Sequence, residues 1–355
     1  MKTTEISSNI DSQNKETGRE HLLIRAARGE KVERTPVWAM RQAGRWDPEF
    51  MRLRTGHDFF SFSANASLSA QASLCPKRFG VDGIILFYDI TTLPMSMGLP
   101  FTLQPERGPV PDKPIRSLQD LDRLKSPADP ASYQHIIDLI TIVRQELAGE
   151  LPILVFAGAP FTVATYCIDT GKHLNKTRAF IRENPIVWGK LLDQLSEATI
   201  DFLNQLEKLG AHMYQLFDSW AGELNLGEYN SWAHSYHQQI FKHGPEIPGV
   251  LFVKECPYLE QMTQSGAKVI SLGCCHSLKQ AIADYPHLVF QGNVDETIMQ
   301  TGSVEDVVKA TQSCLREGNR FHHILNLNHG MDRNSPVENF SSFVQTALHY
   351  PWENN

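Results

Sequence analysis

The sequence lacks any long hydrophobic run, although 41% of its 355 residues are hydrophobic. No stretch approaches the roughly eighteen consecutive apolar residues of a membrane-spanning helix, so we predict no membrane partner. Positive net charge is also lacking. The formal net charge is -7, whereas a general nucleic-acid-binding protein carries a basic footprint. The length allows one large domain or two smaller ones.

The cysteines lack the spacing of a disulfide framework. Six of them are scattered over the chain, which indicates free thiols in a reducing compartment. Residues 1–20 are polar and charged, and they show neither the apolar core of a secretory signal nor the arginine-rich pattern of a transit peptide. We therefore expect a disordered polar tail over residues 1–20, one domain over residues 21–355 and a cytoplasmic protein.

Eight short apolar runs alternate with helical patterns along the chain. The runs are rich in β-branched residues and apolar on both faces, as parallel strands covered by helices are. They are residues 36–40, 83–88, 153–157, 212–217, 249–253, 268–272, 287–291 and 322–327. Eight strand–helix units predict a single-domain (β/α)8 TIM-type barrel with short insertions, one of them the proline-rich segment 98–126. The alternative is a doubly wound open sheet, but no G-x-G-x-x-G fingerprint follows any run.

A compact cationic turn follows the first run, where Arg41 and Arg45 flank Gln42, Ala43 and Gly44. Guanidinium groups suit the fork-like recognition of carboxylate or phosphate. In an acidic chain, such a cluster indicates a site for one anionic ligand. A pair of surface charges on a helix is the alternative, and the glycine between them disfavours helix. We predict that this turn binds a polyanionic small molecule.

Polar side chains also follow most of the other runs, where a barrel of this type places its active-site groups. They include Asp89, Tyr166, Ser219 and His329. Asp89 and Ser219 could instead cap the next helix. Tyr166 could be a packing residue, and His329 could bond loop backbone. Their convergence at one end of the barrel predicts a binding cup.

The sequence Cys274-Cys275-His276 raises the question of a metal site. Adjacent cysteines are awkward ligands for one tetrahedral ion, and no second pair has zinc-like spacing. We expect no metal here and interpret these residues as buried thiols.

The motifs at these positions resemble those of the uroporphyrinogen decarboxylase family. The resemblance extends from about residue 21 to the C-terminus, in the family's order and spacing. The matching segments are residues 35–38, 40–45, 58–60, 88–90, 156–160, 165–166, 216–222, 291–293 and 327–330. The Arg-Gln-Ala-Gly-Arg turn is the highly specific one among them.

The resemblance implies a barrel that is usually a homodimer and that acts without a metal or an organic cofactor. It would remove the four acetate carboxylates of uroporphyrinogen III to give coproporphyrinogen III. Asp89 would lie beneath the macrocycle and stabilise a protonated pyrrole, while Arg41 or Arg45, or a water that they hold, would relay the proton.

The resemblance also implies a set of substrate ligands. They would be residues 41–45 with Arg54, Asp89, Tyr166, Ser219 and His329. Arg52 could take the role of Arg54 if the register of that helix shifts.

The chain departs from the family pattern at Trp46-Asp47, at Met51, in the shortened loop 169–173 and at Gly273-Cys274. These departures favour an altered carboxylate preference or a divergent paralogue. Two rival functions stay open: a non-catalytic tetrapyrrole-binding protein, and a corrinoid-dependent methyltransferase on the same barrel. The methyltransferase would need a His-x-Cys zinc signature after the fifth strand, where this chain has Val253-Lys-Glu-Cys256.

Overall fold

The computed structural model describes residues 20–104, 107–125, 129–169, 171 and 174–352. The predicted disordered tail, except for Glu20, lies outside these residues, as do parts of the predicted insertion 98–126 and of the loop 169–173.

Parallel strands form the wall of the barrel, in a seven-stranded sheet with the order β1-β4-β5-β6-β7-β8-β9. The wall strands are β1 (Ile84–Ile85), β4 (Ile153–Gly158), β5 (Met213–Asp218), β6 (Gly249–Val253), β7 (Val269–Ser271), β8 (Val289–Gln291) and β9 (His323–Ile324). Each lies in a predicted apolar run, which confirms those seven runs. The strands are short and buried on both faces, as helix-covered parallel strands are.

The segment of residues 36–40, the closing segment, joins the two edges of this sheet. Val37 forms a parallel bridge with Leu325, just after β9, and the Leu325 amide donates to the Pro36 carbonyl at 2.9 Å. On the other side, the Asp82 amide donates to the Val37 carbonyl at 2.8 Å. The sheet is therefore closed into a barrel, and the doubly wound open sheet is excluded.

The closing segment is less regular than the strand predicted for it, because side chains accept several of its backbone bonds. The amide of Ala39 donates to Oε1 of Gln42 at 3.2 Å, and the amide of Met40 donates to Oδ1 of Asn326 at 3.0 Å. Pro36 has no amide hydrogen to contribute. These side-chain bonds replace ladder bonds and leave Val37 as the bridging residue.

Helices cover the strands, and their apolar stripes face the wall. The helices are Leu22–Ala27, Pro48–Arg54, Phe59–Ser63, Ala66–Leu74, Thr92–Ser96, Leu118–Leu121, Gln134–Leu147, Pro160–Ile168, Leu174–Glu183, Pro185–Lys208, Leu226–Tyr229, Ser235–His243, Leu259–Thr263, Leu278–Asp284, Glu296–Thr301, Val304–Gly318 and Val337–Leu348. Shorter 3-10 or π turns are Cys75–Phe79, Pro130–Tyr133, Ala221–Glu223 and Asn230–His234. None of the helices in these residues has the length and apolar character needed to cross a bilayer.

The longest helix illustrates how sequence dictates burial. Pro185–Lys208 buries Leu191, Leu195, Phe202 and Leu206 at spacings of three, four and seven, so the predicted apolar stripe is confirmed. Proline at the first helical position fixes the start, since its missing amide hydrogen would have no partner there.

The predicted insertion after β1 contains a small antiparallel hairpin, β2 (Phe101–Gln104) paired with β3 (Gly108–Pro111). Leu103 and Pro109, one from each strand, line the cavity described below. The hairpin therefore forms part of the site as well as an excursion from the barrel.

Asp82 is the residue on which barrel closure depends most. Its carboxylate accepts two bonds from the guanidinium of Arg34, both at 2.7 Å, and one from the Val37 amide at 2.7 Å. We expect Asp82→Ala to lower the free energy of unfolding in urea by about 2–4 kcal/mol, because it leaves a part-buried arginine and a buried amide unpaired. As a control, Glu150→Ala removes the exposed partner of Lys77 and should cost no more than about 1 kcal/mol. Equal losses in the two variants would contradict this role of Asp82.

Candidate active site

The turn after the closing segment holds its arginines through a tightly determined backbone. Arg41 has a positive φ of 59°, which is uncommon for a residue with a side chain. Its carbonyl accepts a bond from Nε1 of Trp46 at 3.0 Å. A Cβ at Gly44 would lie 2.9 Å from the same carbonyl oxygen, so glycine is required at this close approach.

Gln42 points away from the ligand side of the turn. Its side chain is buried, donates to the Gly83 carbonyl at 2.9 Å and accepts from the Ala39 amide. Gln42 does not line the cavity. Its contacts tie the turn to the backbone just before β1, so its role here is to brace the turn.

The off-pattern residues beside the turn are structural. Trp46 packs against Phe340 with ring centroids 4.5 Å apart. Asp47 is fully buried, caps the helix Pro48–Arg54 and accepts from Nη2 of Arg78 at 2.6 Å. Neither residue lines the cavity, and neither does the exposed Met51. These departures from the family pattern therefore lie outside the cavity wall.

A cavity of about 800 Å³ opens at the carboxyl ends of the strands. Most of the predicted site residues line it: Arg41, Ala43, Gly44, Arg45, Arg54, Asp89, Tyr166, Ser219 and His329. They come from loops after several different strands, as in barrel active sites. Arg54 lines the cavity and Arg52 does not, so the helix register favours Arg54 as the ligand.

Four guanidiniums meet at this cavity, from Arg41, Arg45, Arg54 and Arg333. Burial lowers the pKa of Arg45, and the charges of Arg333, Arg54 and Arg41 lower it further, whereas Asp332 raises it. Within the described residues, none of the four forms a salt bridge, in contrast to Arg34 and Arg78. Such an uncompensated cluster is a site for an anion with several carboxylates or phosphates.

Asp89 supplies the opposite charge in the same cavity. The amide of Thr91 donates to its Oδ1 at 2.8 Å, and the hydroxyl of Thr91 donates to the same oxygen. Burial raises the pKa of Asp89, whereas the Thr91 bonds and the charge of Arg41 oppose that rise. Thr91 thus fixes the carboxylate by one oxygen and leaves the other available.

His329 and Tyr166 are neutral polar groups of the site. Burial, with the nearby charges of Arg41 and Lys254, lowers the pKa of His329 to about 4. The contact of 3.8 Å between its Nδ1 and Oε1 of Glu296 is therefore not an ion pair at pH 7. Burial raises the pKa of Tyr166, so its hydroxyl keeps its proton.

Phenylalanine rings form an apolar wall between the charged groups. Phe156, Phe217 and Phe252 follow one another on β4, β5 and β6, with ring centroids 5.5 Å and 5.4 Å apart and edge-to-face geometry. All three line the cavity. The site therefore combines a flat apolar surface with cationic groups, which suits an amphiphilic ligand.

Several lining residues were missed by the sequence interpretation, chiefly Thr91, Asp332, Arg333 and these rings. A signal for Arg333 exists, since it lies four residues after His329 in the same loop. Thr91 follows Asp89 at the spacing of a local side-chain turn. The rings look like ordinary core residues in a sequence.

Cys274 and Cys275 are exposed, so the prediction of buried thiols is wrong. Their amides donate to the two carboxylate oxygens of Glu255, at 3.0 Å and 3.1 Å, which holds this loop open to solvent. Over the described part of the chain, no three His, Cys, Asp or Glu side chains come together in a way that could hold a metal ion.

The fold and the cavity together define a (β/α)8-barrel protein with an anion-binding site at the carboxyl ends of its strands. The family model for uroporphyrinogen decarboxylase (URO-D) matches residues 19–350. The chain belongs to this family.

Similar proteins come from bacteria and eukaryotes. A uroporphyrinogen decarboxylase of Synechococcus sp. (strain CC9605) is 35% identical over 337 residues, which is 92% of this chain and 95% of that protein. One from Dictyostelium discoideum is 35% identical over 341 residues, covering 92% and 93%. Among solved structures, a methyltransferase from Methanosarcina mazei has a TM-score of 0.78 at 21% identity, covering 92% of this chain and 97% of that chain. That likeness supports the barrel fold alone.

The lowered pKa of His329 predicts a pH-dependent stability. The folded state takes up this proton only near pH 4, whereas an unfolded histidine does so near pH 6.5. Between these values the unfolded state binds more protons, so stability falls as the pH falls. We expect His329→Gln to lose about 1–2 kcal/mol less than the parent protein between pH 7 and pH 5, measured by urea unfolding.

His212 and His323, whose pKa values are also lowered to about 4, act alike in both proteins and cancel in this comparison. Parallel losses in the parent and the variant would contradict a buried neutral His329.

Proposed function

We propose that the protein is a uroporphyrinogen decarboxylase, which removes the four acetate carboxylates of uroporphyrinogen III to give coproporphyrinogen III in tetrapyrrole biosynthesis. Membership of the family and the names of its relatives support this activity. The observation that carries it for this chain is the cavity itself, where four guanidiniums and one carboxylate, Asp89, lie around an apolar aromatic wall. The substrate has the same distribution: an apolar macrocycle, pyrrole N–H groups and a perimeter of carboxylates.

The chemistry explains why these residue types suffice. A pyrrole-acetate cannot lose CO2 directly, because the carbanion left behind has nowhere to delocalise. Protonation of the adjacent ring carbon makes the ring an iminium-like cation. The electron pair of the breaking C–C bond then flows into that ring, and a later proton transfer restores the pyrrole. The substrate is thus its own electron sink, and the reaction needs no cofactor.

Asp89 acts on the charge that develops in the ring. The carboxylate oxygen that Thr91 leaves free accepts the pyrrole N–H groups and stabilises the cation as it forms. A carboxylate held in advance needs little reorganisation during the reaction, which is the source of its advantage over water. The approach of a cation also favours the ionised form of Asp89 against the effect of burial on its pKa.

The arginines hold the carboxylates and serve the proton transfer. Arg41, Arg45 and Arg54 bind acetates and propionates through charge-assisted hydrogen bonds. The proton reaches the ring carbon from Arg41 or Arg45, or from a water that they hold. Tyr166, Ser219 and His329 complete the set of substrate ligands, each as a neutral donor or acceptor.

A non-catalytic tetrapyrrole-binding protein would use the same residues for binding alone, so turnover separates it from the enzyme. A corrinoid-dependent methyltransferase is not favoured. The loop after β6 holds Val253-Lys-Glu-Cys256 in place of a His-x-Cys signature, and the structural likeness to a methyltransferase supports only a shared fold.

We also propose that the protein works in the cytoplasm as a homodimer. The six cysteines are free thiols, which suits a reducing compartment. The dimer is the usual state implied by the family resemblance.

We expect Asp89→Asn to reduce decarboxylation by at least about a thousandfold, the upper range for loss of an electrostatic stabiliser. The test is anaerobic incubation with uroporphyrinogen III, followed by chromatography of the hepta- to tetracarboxylate products. Circular dichroism and thermal unfolding of the variant should match those of the parent protein. Asp122→Asn, an isosteric change of a carboxylate outside the cavity, is the matched control and should keep full turnover.

Two results would contradict these assignments. If the parent protein gives no product but binds the porphyrinogen, the decarboxylase proposal fails in favour of the binding protein. If Asp89→Asn turns over at the parent rate, Asp89 is not central to the mechanism.

The dimer can be tested by sedimentation velocity at micromolar protein concentration. The expected species has twice the 40.1 kDa mass of the chain. A single species of monomer mass over the whole concentration range would reject the homodimer.

A further inference from the structure

We propose that Arg333 is a further substrate-binding residue, which holds a propionate carboxylate of the porphyrinogen at the exposed edge of the cavity. This inference rests on the proposed function and adds one ligand to it. It starts from a guanidinium that lines the cavity without a partner in the protein.

The loop that carries Arg333 is fixed against the arginine turn. The amide of Met331 donates to the Met40 carbonyl at 2.9 Å. One residue earlier, a Cβ at Gly330 would lie 2.5 Å from Cδ of Arg41, so these two residues are packed as closely as glycine allows. The last strand and the arginine turn are therefore in direct contact at this point.

Asp332 shapes the turn that presents Arg333. Its Oδ1 accepts from the Asn334 amide at 2.8 Å, and its carbonyl accepts from the Ser335 amide at 3.2 Å. Because Ser335 is buried, the far end of the turn is anchored. The carboxylate of Asp332 is thus engaged locally and makes no salt bridge with Arg333 within the described residues.

The ordinary alternative is an exposed arginine that is simply solvated. Three observations speak against it. Arg333 lines the same cavity as Arg41, Arg45 and Arg54. Its charge lowers the pKa of Arg45 more than the charge of Arg54 or Arg41 does. It also stands next to like charges, an arrangement that costs energy unless an anion is bound there.

The position of Arg333 favours a propionate over a reacting acetate. Arg333 is exposed at the edge of the cavity, whereas Asp89, where the ring charge would develop, is mostly buried. Acetates are consumed one after another, while the propionates persist in every intermediate and in the product. A contact with a persistent group is equally strong before and during the reaction, so it lowers KM without raising kcat.

The test compares Arg333→Ala with Arg52→Ala. Arg52 is an exposed arginine on the helix Pro48–Arg54 that does not line the cavity, so its variant makes the same charge change nearby. Binding of coproporphyrinogen III, which has propionates and no acetates, is measured by anaerobic calorimetry. We expect Arg333→Ala to weaken binding by about fivefold to twentyfold, the effect of one partly exposed charge-assisted contact. Arg52→Ala should change it by less than about twofold.

Turnover of uroporphyrinogen III provides a second readout. For Arg333→Ala we expect KM to rise by a similar factor while kcat stays within about twofold. Arg333→Lys should recover part of the affinity, because it keeps the charge and loses the fork of donors. Both variants should unfold at the parent temperature, since Arg333 makes no salt bridge within the described residues.

Unchanged affinity for coproporphyrinogen III in Arg333→Ala would overturn the proposal. A fall in kcat with unchanged KM would overturn it as well, because Arg333 would then act on the reacting acetate. If the parent protein binds coproporphyrinogen III through Arg333 but gives no decarboxylated product, the proposed function fails while this inference stands.

Discussion

The structure depends on positive charge that the protein itself leaves uncompensated. Four guanidiniums from three distant parts of the sequence face one cavity, and their mutual repulsion has to be offset by the rest of the fold. The offsetting contacts are short and specific: Gln42 bonds the backbone before β1, Met331 bonds Met40, and Gly330 packs on Arg41. A rigid barrel is suited to this task, because it holds like charges in place until an anion arrives.

The cavity separates two electrostatic roles that one region could not fill. The arginines create a positive field for a substrate rich in carboxylates, and that same field disfavours a ring cation. Asp89 provides the negative counterpart, fixed by Thr91. The aromatic wall between them excludes water, so both interactions are stronger than they would be in solvent.

Much of the fold and part of the site follow from the sequence. Seven strands lie in predicted runs, and the prediction that loops after strands form one cup brought Arg41, Asp89 and His329 to the same cavity. The direction of each side chain did not follow. Gln42 turns inward because Arg41 has a positive φ, and neither Arg333 nor the exposure of Cys274 can be derived from spacing, since both depend on which loops meet in space.

Barrel closure also bears on how the protein acquires its site during folding. The segment that bears the arginine turn meets Leu325 and Asn326, almost three hundred residues away along the chain. Contacts so distant in sequence carry the largest loop-closure entropy and form slowly. The charged cavity is therefore assembled only when both ends of the barrel have met. A partly folded chain would carry the arginines without the pocket, so the ability to bind a polycarboxylate reports that folding is complete.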